Sequence, residues 1–113
     1  MTTYKRGDVV LVPFPFTSQG QTKQRPALVV SVFAYNDSCP DVILASITSN
    51  PNPLTHVGDH RIVAWQAAGL DDPSIVQAKL VTVENGIIQQ KIGELQPQDL
   101  SQYERGLRTA LGL

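Results

Sequence analysis

Ala27-Leu28-Val29-Val30-Ser31-Val32 is a nearly unbroken apolar run, and it leaves the fold few options. It is too short for a core helix, and valine suits a pleated backbone because its branched Cβ is stiff at χ1. A run without polar alternation has no face to offer water. It predicts a central strand covered on both sides.

Similar runs recur along the chain. Val9 to Val12 predicts a first strand, with Phe14 and Phe16 continuing one face at period two. Pro13 and Pro15 cannot donate to a ladder, so this strand ends there or follows an edge. Asn36-Asp37-Ser38-Cys39-Pro40 is turn chemistry, and Val42 to Thr48 reads as a third strand. A loop rich in proline, asparagine and glycine fills 49–60, then Arg61 to Trp65 offers a short strand before the turn at Gly69-Leu70-Asp71-Asp72-Pro73. Ile75 to Val83 is a fifth strand, and the Asn-Gly of Glu84-Asn85-Gly86 predicts a tight hairpin turn. Ile87 to Leu95 is a further strand, or one running into a turn of helix. Pro97 suits a first helical position, Asp99 favours the positive end of the dipole, and Leu100, Tyr103, Leu107 and Leu111 follow at helical spacing. Gln96 is an imperfect cap for that helix.

Short strands with one C-terminal helix predict a mainly β fold, a small and strongly bent antiparallel barrel. A length of 113 residues suits one domain over 1–113. With 42 % apolar and 17 % charged residues the chain reads as globular rather than disordered. No run approaches the roughly 18 apolar residues of a membrane helix, and the N-terminal apolar stretch is broken by Pro13 and Pro15, unlike a signal peptide. A single cysteine, Cys39, excludes an internal disulfide and a cysteine-built zinc site. These features predict a cytoplasmic protein.

The net charge of −1 does not announce a nucleic-acid binder, but its distribution is uneven. Residues 1–25 carry Lys5, Arg6, Lys23 and Arg25 against Asp8 alone, whereas 26–74 carry Arg61 against five aspartates. Positive charge is therefore expected around the polar loop Phe16-Thr17-Ser18-Gln19-Gly20-Gln21-Thr22-Lys23-Gln24-Arg25-Pro26. Ile47-Thr48-Ser49-Asn50 is expected as its partner across the sheet, and the pair reads as an RNA-cleaving site. On pattern alone, Arg25 reads more readily as a solvated loop-end charge and Thr48 as a strand-edge hydroxyl.

RNA carries its own nucleophile, the 2′-hydroxyl beside each phosphate. Cleavage needs that oxygen deprotonated, the leaving 5′-oxygen protonated and the phosphorane charge stabilised. The planar fork of Arg25 suits the last task, and Thr48 can add a hydroxyl donor. A guanidinium with pKa above about 12 keeps its proton, so its role is electrostatic and the base is left open. His56 and His60 are the other acid–base pair in reach, but Val57-Gly58-Asp59 and nearby prolines argue against a helix aligning them. They are expected as two solvated loop imidazoles rather than a couple or a metal site with Asp59.

Gly7-Asp8-Val9-Val10 leading to Pro13-Phe14, Arg25-Pro26-Ala27-Leu28-Val29-Val30-Ser31, Ile47-Thr48-Ser49, Lys79-Leu80-Val81-Thr82-Val83 and Ile92-Gly93-Glu94-Leu95 appear in that order. With them the chain resembles the MazF/PemK toxins of bacterial toxin–antitoxin pairs over roughly Lys5 to Leu111. The resemblance implies an SH3-like β-barrel, a homodimer, and a metal-independent, cofactor-free endoribonuclease. That enzyme would cut single-stranded RNA at a short sequence, leaving 2′,3′-cyclic phosphate and 5′-hydroxyl ends. It further implies a cognate antitoxin covering the same groove with an extended acidic segment. Arg25 and Thr48 match the family's catalytic pair, Phe16, Thr17, Gln19, Gln21, Lys23 and Gln24 its RNA-contacting loop, and Ser49 and Lys79 further groove positions. Two other readings stand beside it: a CcdB-like poison of DNA gyrase, although the chain ends Leu111-Gly112-Leu113 rather than Trp-Gly-Ile, and a non-catalytic barrel that binds RNA or protein.

Overall fold

Six antiparallel strands are the frame of the computed structural model, which describes residues 3–14, 23–49 and 55–113. They are β1 (Asp8–Phe14), β2 (Lys23–Val29), β3 (Asp41–Thr48), β4 (His60–Arg61), β5 (Ile75–Glu84) and β6 (Gln90–Glu94). Their order across one curled sheet is β4-β5-β3-β2-β1-β6, half of a barrel. A short helix α1 (Phe33–Ser38) joins β2 to β3, and α2 (Pro97–Leu111) follows β6.

The central-strand expectation holds for Ala27, Leu28 and Val29, all buried in β2 between β1 and β3, but Val30, Ser31 and Val32 lie beyond the strand, and Val32 is exposed where α1 begins. Alternation sends the β2 side chains to two cores. Leu28 joins Val9, Ala45, Ile47 and Val76 under Tyr103 of α2, while Ala27 and Val29 join Val10, Val12, Val42, Leu44 and Val83 on the opposite face. Each such side chain withdrawn from water contributes about 1.5–3 kcal/mol when it is valine- or leucine-sized. The strand begins earlier than predicted: Lys23, Gln24 and Arg25 belong to β2 rather than to the preceding loop.

β1 passes through Pro13, which faces Gln24 of β2, while β6 pairs with β1 only as far as Leu11↔Gln90. Leu11 accepts from the Gln89 N–H on the β6 side, at 2.8 Å. Backbone groups alternate sides, so the Pro13 nitrogen shares the Leu11 side, beyond the end of β6. A missing N–H there breaks no ladder bond.

Three local expectations fail. Residues 33–38 form α1 rather than a turn around Asn36. The buried Asn36 amide donates to the carbonyls of Tyr4 (2.8 Å) and Ser31 (3.1 Å) and accepts from the Ser31 hydroxyl, so it is committed to tertiary bonds. Arg61 to Trp65 is not a strand beyond the two-residue β4, because the N–H groups of Val63 and Ala64 donate to the Asp99 carboxylate at 2.9 and 3.0 Å. Asn85-Gly86 makes a 3-10 turn rather than a two-residue hairpin, its Asn85 N–H drawn to the Pro40 carbonyl at 2.8 Å.

Pro97 opens α2 as expected, and Leu100, Tyr103 and Leu107 pack onto the sheet. Leu111 departs from that stripe and is 51 % exposed.

Candidate active site

Four strands, β1, β2, β3 and β5, bring the site together. β1 and β2 pair Val12 with Arg25, and β2 and β3 pair Ala27 with Ser46. Both β2 and β3 continue past that last pair, and the same register carried two residues on sets Arg25 opposite Thr48. Alternation puts Arg25 on the face of Ala27 and Val29, and Thr48 on the face of Val42 and Leu44, which is one face of the sheet. The paired ladder itself ends at Ala27 and Ser46, and Thr48 is not among the residues that line the cavity beside Arg25.

The third contribution comes from an irregularity in β5. Ala45 pairs with Leu80 and Ile47 with Val76, so Ser46 alone faces Gln77, Ala78 and Lys79. Such a bulge re-aims side chains. Lys79 thereby meets Arg25 at the rim of a cavity of about 180 Å³ whose floor is apolar: Val12, Ala27, Leu44 and Val81. Both cations are exposed, and neither pairs with a carboxylate among the described residues. Their donors are therefore available to an anion.

Lys5 and Arg6 do not gather here, against the expectation from charge counting. Lys5 pairs with Asp8 (3.3 Å) and Glu94 (2.9 Å), and Arg6 with Glu104 (3.2 Å). Asp8 starts β1 and Val12, the partner of Arg25, lies four residues on, about 13 Å along a strand. The terminal charges are neutralised locally instead.

Lys23 and Gln24 are exposed on β2, opposite Phe14 and Pro13, and Ser49 is exposed just past β3. Thr48 is half-buried. Phe16, Thr17, Gln19 and Gln21 lie outside the described residues.

His60 is not a solvated imidazole. Its Nε2 lies 2.8 Å from Asp99 Oδ1, with 11 % of the side chain exposed. Burial pushes the Asp99 carboxyl up, but the N–H groups of Val63 and Ala64 and the His60 ring outweigh it and hold the carboxyl below its usual range. His56 is exposed and stands 3.7 Å from Asp59, so the two imidazoles serve different local structures.

Residues 5–111 match the family described as PemK-like, MazF-like toxin of type II toxin-antitoxin system. The chain belongs to this toxin family. Among curated proteins none is similar enough in sequence to count as a match. The fold is shared with solved structures. An endoribonuclease from Mycobacterial species is 24 % identical with a TM-score of 0.79, covering 100 % of this chain and 95 % of that one. An endoribonuclease in complex with its cognate antitoxin, also from Mycobacterial species, is 24 % identical with a TM-score of 0.78, covering 100 % and 97 %. MazF from Deinococcus radiodurans is 22 % identical with a TM-score of 0.75, covering both chains fully.

Sequence reasoning found the cationic rim of this toxin's cavity but missed its floor. Val12, Ala27, Leu44 and Val81 carry no chemical signal of a site; only period-two counting from Arg25 and Lys79 would have placed them on the same face. It also missed that Tyr103 of α2 donates its hydroxyl to the Gln77 carbonyl, inside the bulge, at 2.9 Å.

Proposed function

We infer that this toxin-family chain is a metal-independent, sequence-specific endoribonuclease acting on single-stranded RNA. The observation that carries it is the meeting at one open cavity of Arg25 and Lys79, neither of which pairs with a carboxylate among the described residues; Thr48 stands at the end of the adjoining β3. The substrate's 2′-oxygen attacks phosphorus and loses its proton, the bond from phosphorus to the 5′-oxygen breaks, and that oxygen gains a proton. The ends are a 2′,3′-cyclic phosphate and a 5′-hydroxyl. Arg25 spans two non-bridging oxygens with its fork, and Thr48 donates a further hydrogen bond as charge develops. Arg25 keeps its proton throughout, so the proton steps fall to other groups.

Lys79 and Lys23 hold neighbouring phosphates, while Gln24, Ser49 and the loop residues Phe16, Thr17, Gln19 and Gln21 contact the flanking nucleotides. A base stacked on Phe16 adds about 1–3 kcal/mol, useful on a chain of low net charge. The complex of the mycobacterial endoribonuclease with its cognate antitoxin supports an antitoxin partner here, and that partner covers the same groove with an extended acidic segment. The chain works as one domain in the cytoplasm, and as a homodimer. Exposed Val32, Phe33, Tyr35, Leu80, Leu111 and Leu113 supply the apolar surface for the second copy.

The test incubates purified protein with a long single-stranded transcript in chelator and maps the new ends. Cyclic-phosphate ends are expected, with Arg25→Ala slowing cleavage by on the order of 10²–10³. Intact RNA, or cutting indifferent to Arg25→Ala, overturns the reading.

A further inference from the structure

We propose that Tyr103 and Gly58 are positioning residues for Lys79, clamping the β5 bulge from the helix side so that Lys79 is presented to the RNA phosphate beside Arg25. The inference rests on the function proposed above and adds residues outside the cavity to it.

A strand with two extra residues has fewer ladder bonds to define its path, so something else must fix where the bulged residues lie. Two contacts do so. Tyr103 is 1 % exposed, and its hydroxyl reaches the Gln77 carbonyl at 2.9 Å. That bond ties the Gln77 carbonyl to α2. Burial raises the Tyr103 pKa, so the phenol stays a donor. The second contact is Gly58, at φ +95°, in the turn closed by the Asp59 N–H to the His56 carbonyl and by the His56 N–H to the Asp59 carboxylate. A Cβ on Gly58 would stand 2.8 Å from Ala78 Cβ and 3.0 Å from Ala110 Cβ. The turn therefore presses on the bulge at its middle residue, and only glycine lets it approach so near.

Gln77 and Ala78 are thus held from behind, and Lys79 is the next residue, on the opposite side at the cavity rim. Neither Tyr103 nor Gly58 lines that cavity. Their effect on RNA must pass through Lys79.

The test is a cycle of Tyr103→Phe, Lys79→Gln and the double variant, which keeps the ring and removes only the hydroxyl. Two readouts are taken. In hydrogen exchange of free protein, Tyr103→Phe is expected to speed exchange at residues 77–79 while β1 and β2 amides are unchanged. In RNA cleavage it is expected to raise KM roughly two- to tenfold, the worth of one net hydrogen bond, with kcat near wild type. In the Lys79→Gln background the same change is expected to add nothing, since coupled residues are non-additive. An equal loss in both backgrounds, a loss in kcat alone, or unchanged exchange at 77–79 overturns the proposal. Wild-type protein that leaves RNA intact overturns the nuclease reading and with it the role of Lys79, whereas normal cleavage with unaltered exchange overturns the clamp alone.

Discussion

Arg25 and Asp99 show how neighbours decide what a charged side chain does. Arg25 stands on a strand with no carboxylate partner among the described residues, so its five donors face solvent and whatever anion enters. Asp99 is 2 % exposed, and its two oxygens accept from Val63, Ala64 and the His60 ring, which fastens the 63–69 turns to the first turn of α2. Those donors favour the carboxylate, so its folded pKa lies below the unfolded value of about 3.9. A lowered pKa gives stability that is complete above the unfolded value and is lost as pH falls through the folded one. Asp99→Asn is expected to destabilise by about 1–3 kcal/mol at neutral pH, with the gap to wild type shrinking below about pH 4 in urea titrations. A gap that holds constant into acid contradicts this account.

At the scale of elements, glycines mark where two segments come closest. A Cβ on Gly93 of β6 would lie 2.2 Å from the Ala68 carbonyl oxygen, and one on Gly69 2.2 Å from that of Ile92. The backbones of β6 and the 63–69 turns therefore touch directly. Gly93→Ala is expected to cost about 2–3 kcal/mol, read as a lower melting temperature, because a backbone carbonyl cannot swing away as a side chain can. An unchanged melt counts against that contact.

The strands themselves were legible where burial on both faces left an unbroken apolar signal, as at Ala27 to Val29. They were illegible where a distant group intervened. Nothing around Val63 says that Asp99, 36 residues on, will take its N–H, and nothing around Asn36 says that Tyr4 will accept from its amide. The site was legible in the same uneven way. Arg25 before proline and Thr48 at a strand end are local features, whereas the bulge that places Lys79 depends on pairing between β3 and β5.

At the scale of the molecule, most of the large exposed apolar side chains among the described residues gather at one groove, with Val57 and Val63 outside it. Val32, Tyr35, Leu80, Leu111 and Leu113 border a groove of about 680 Å³ between α2 and the segment that joins β2 to α1, the face proposed above for a second copy. Sedimentation is expected to give twice the chain mass for the wild type and a single mass for Leu111→Glu; a wild type of single mass rules the pairing out. Elsewhere the sheet meets water along its edge. Past the end of β6, the Val12–Phe14 stretch turns one side outward, and there Pro13 has no hydrogen to offer. A foreign strand arriving at that margin finds its register interrupted beside the cavity, so the proline guards the molecule against stacking edge to edge into aggregates.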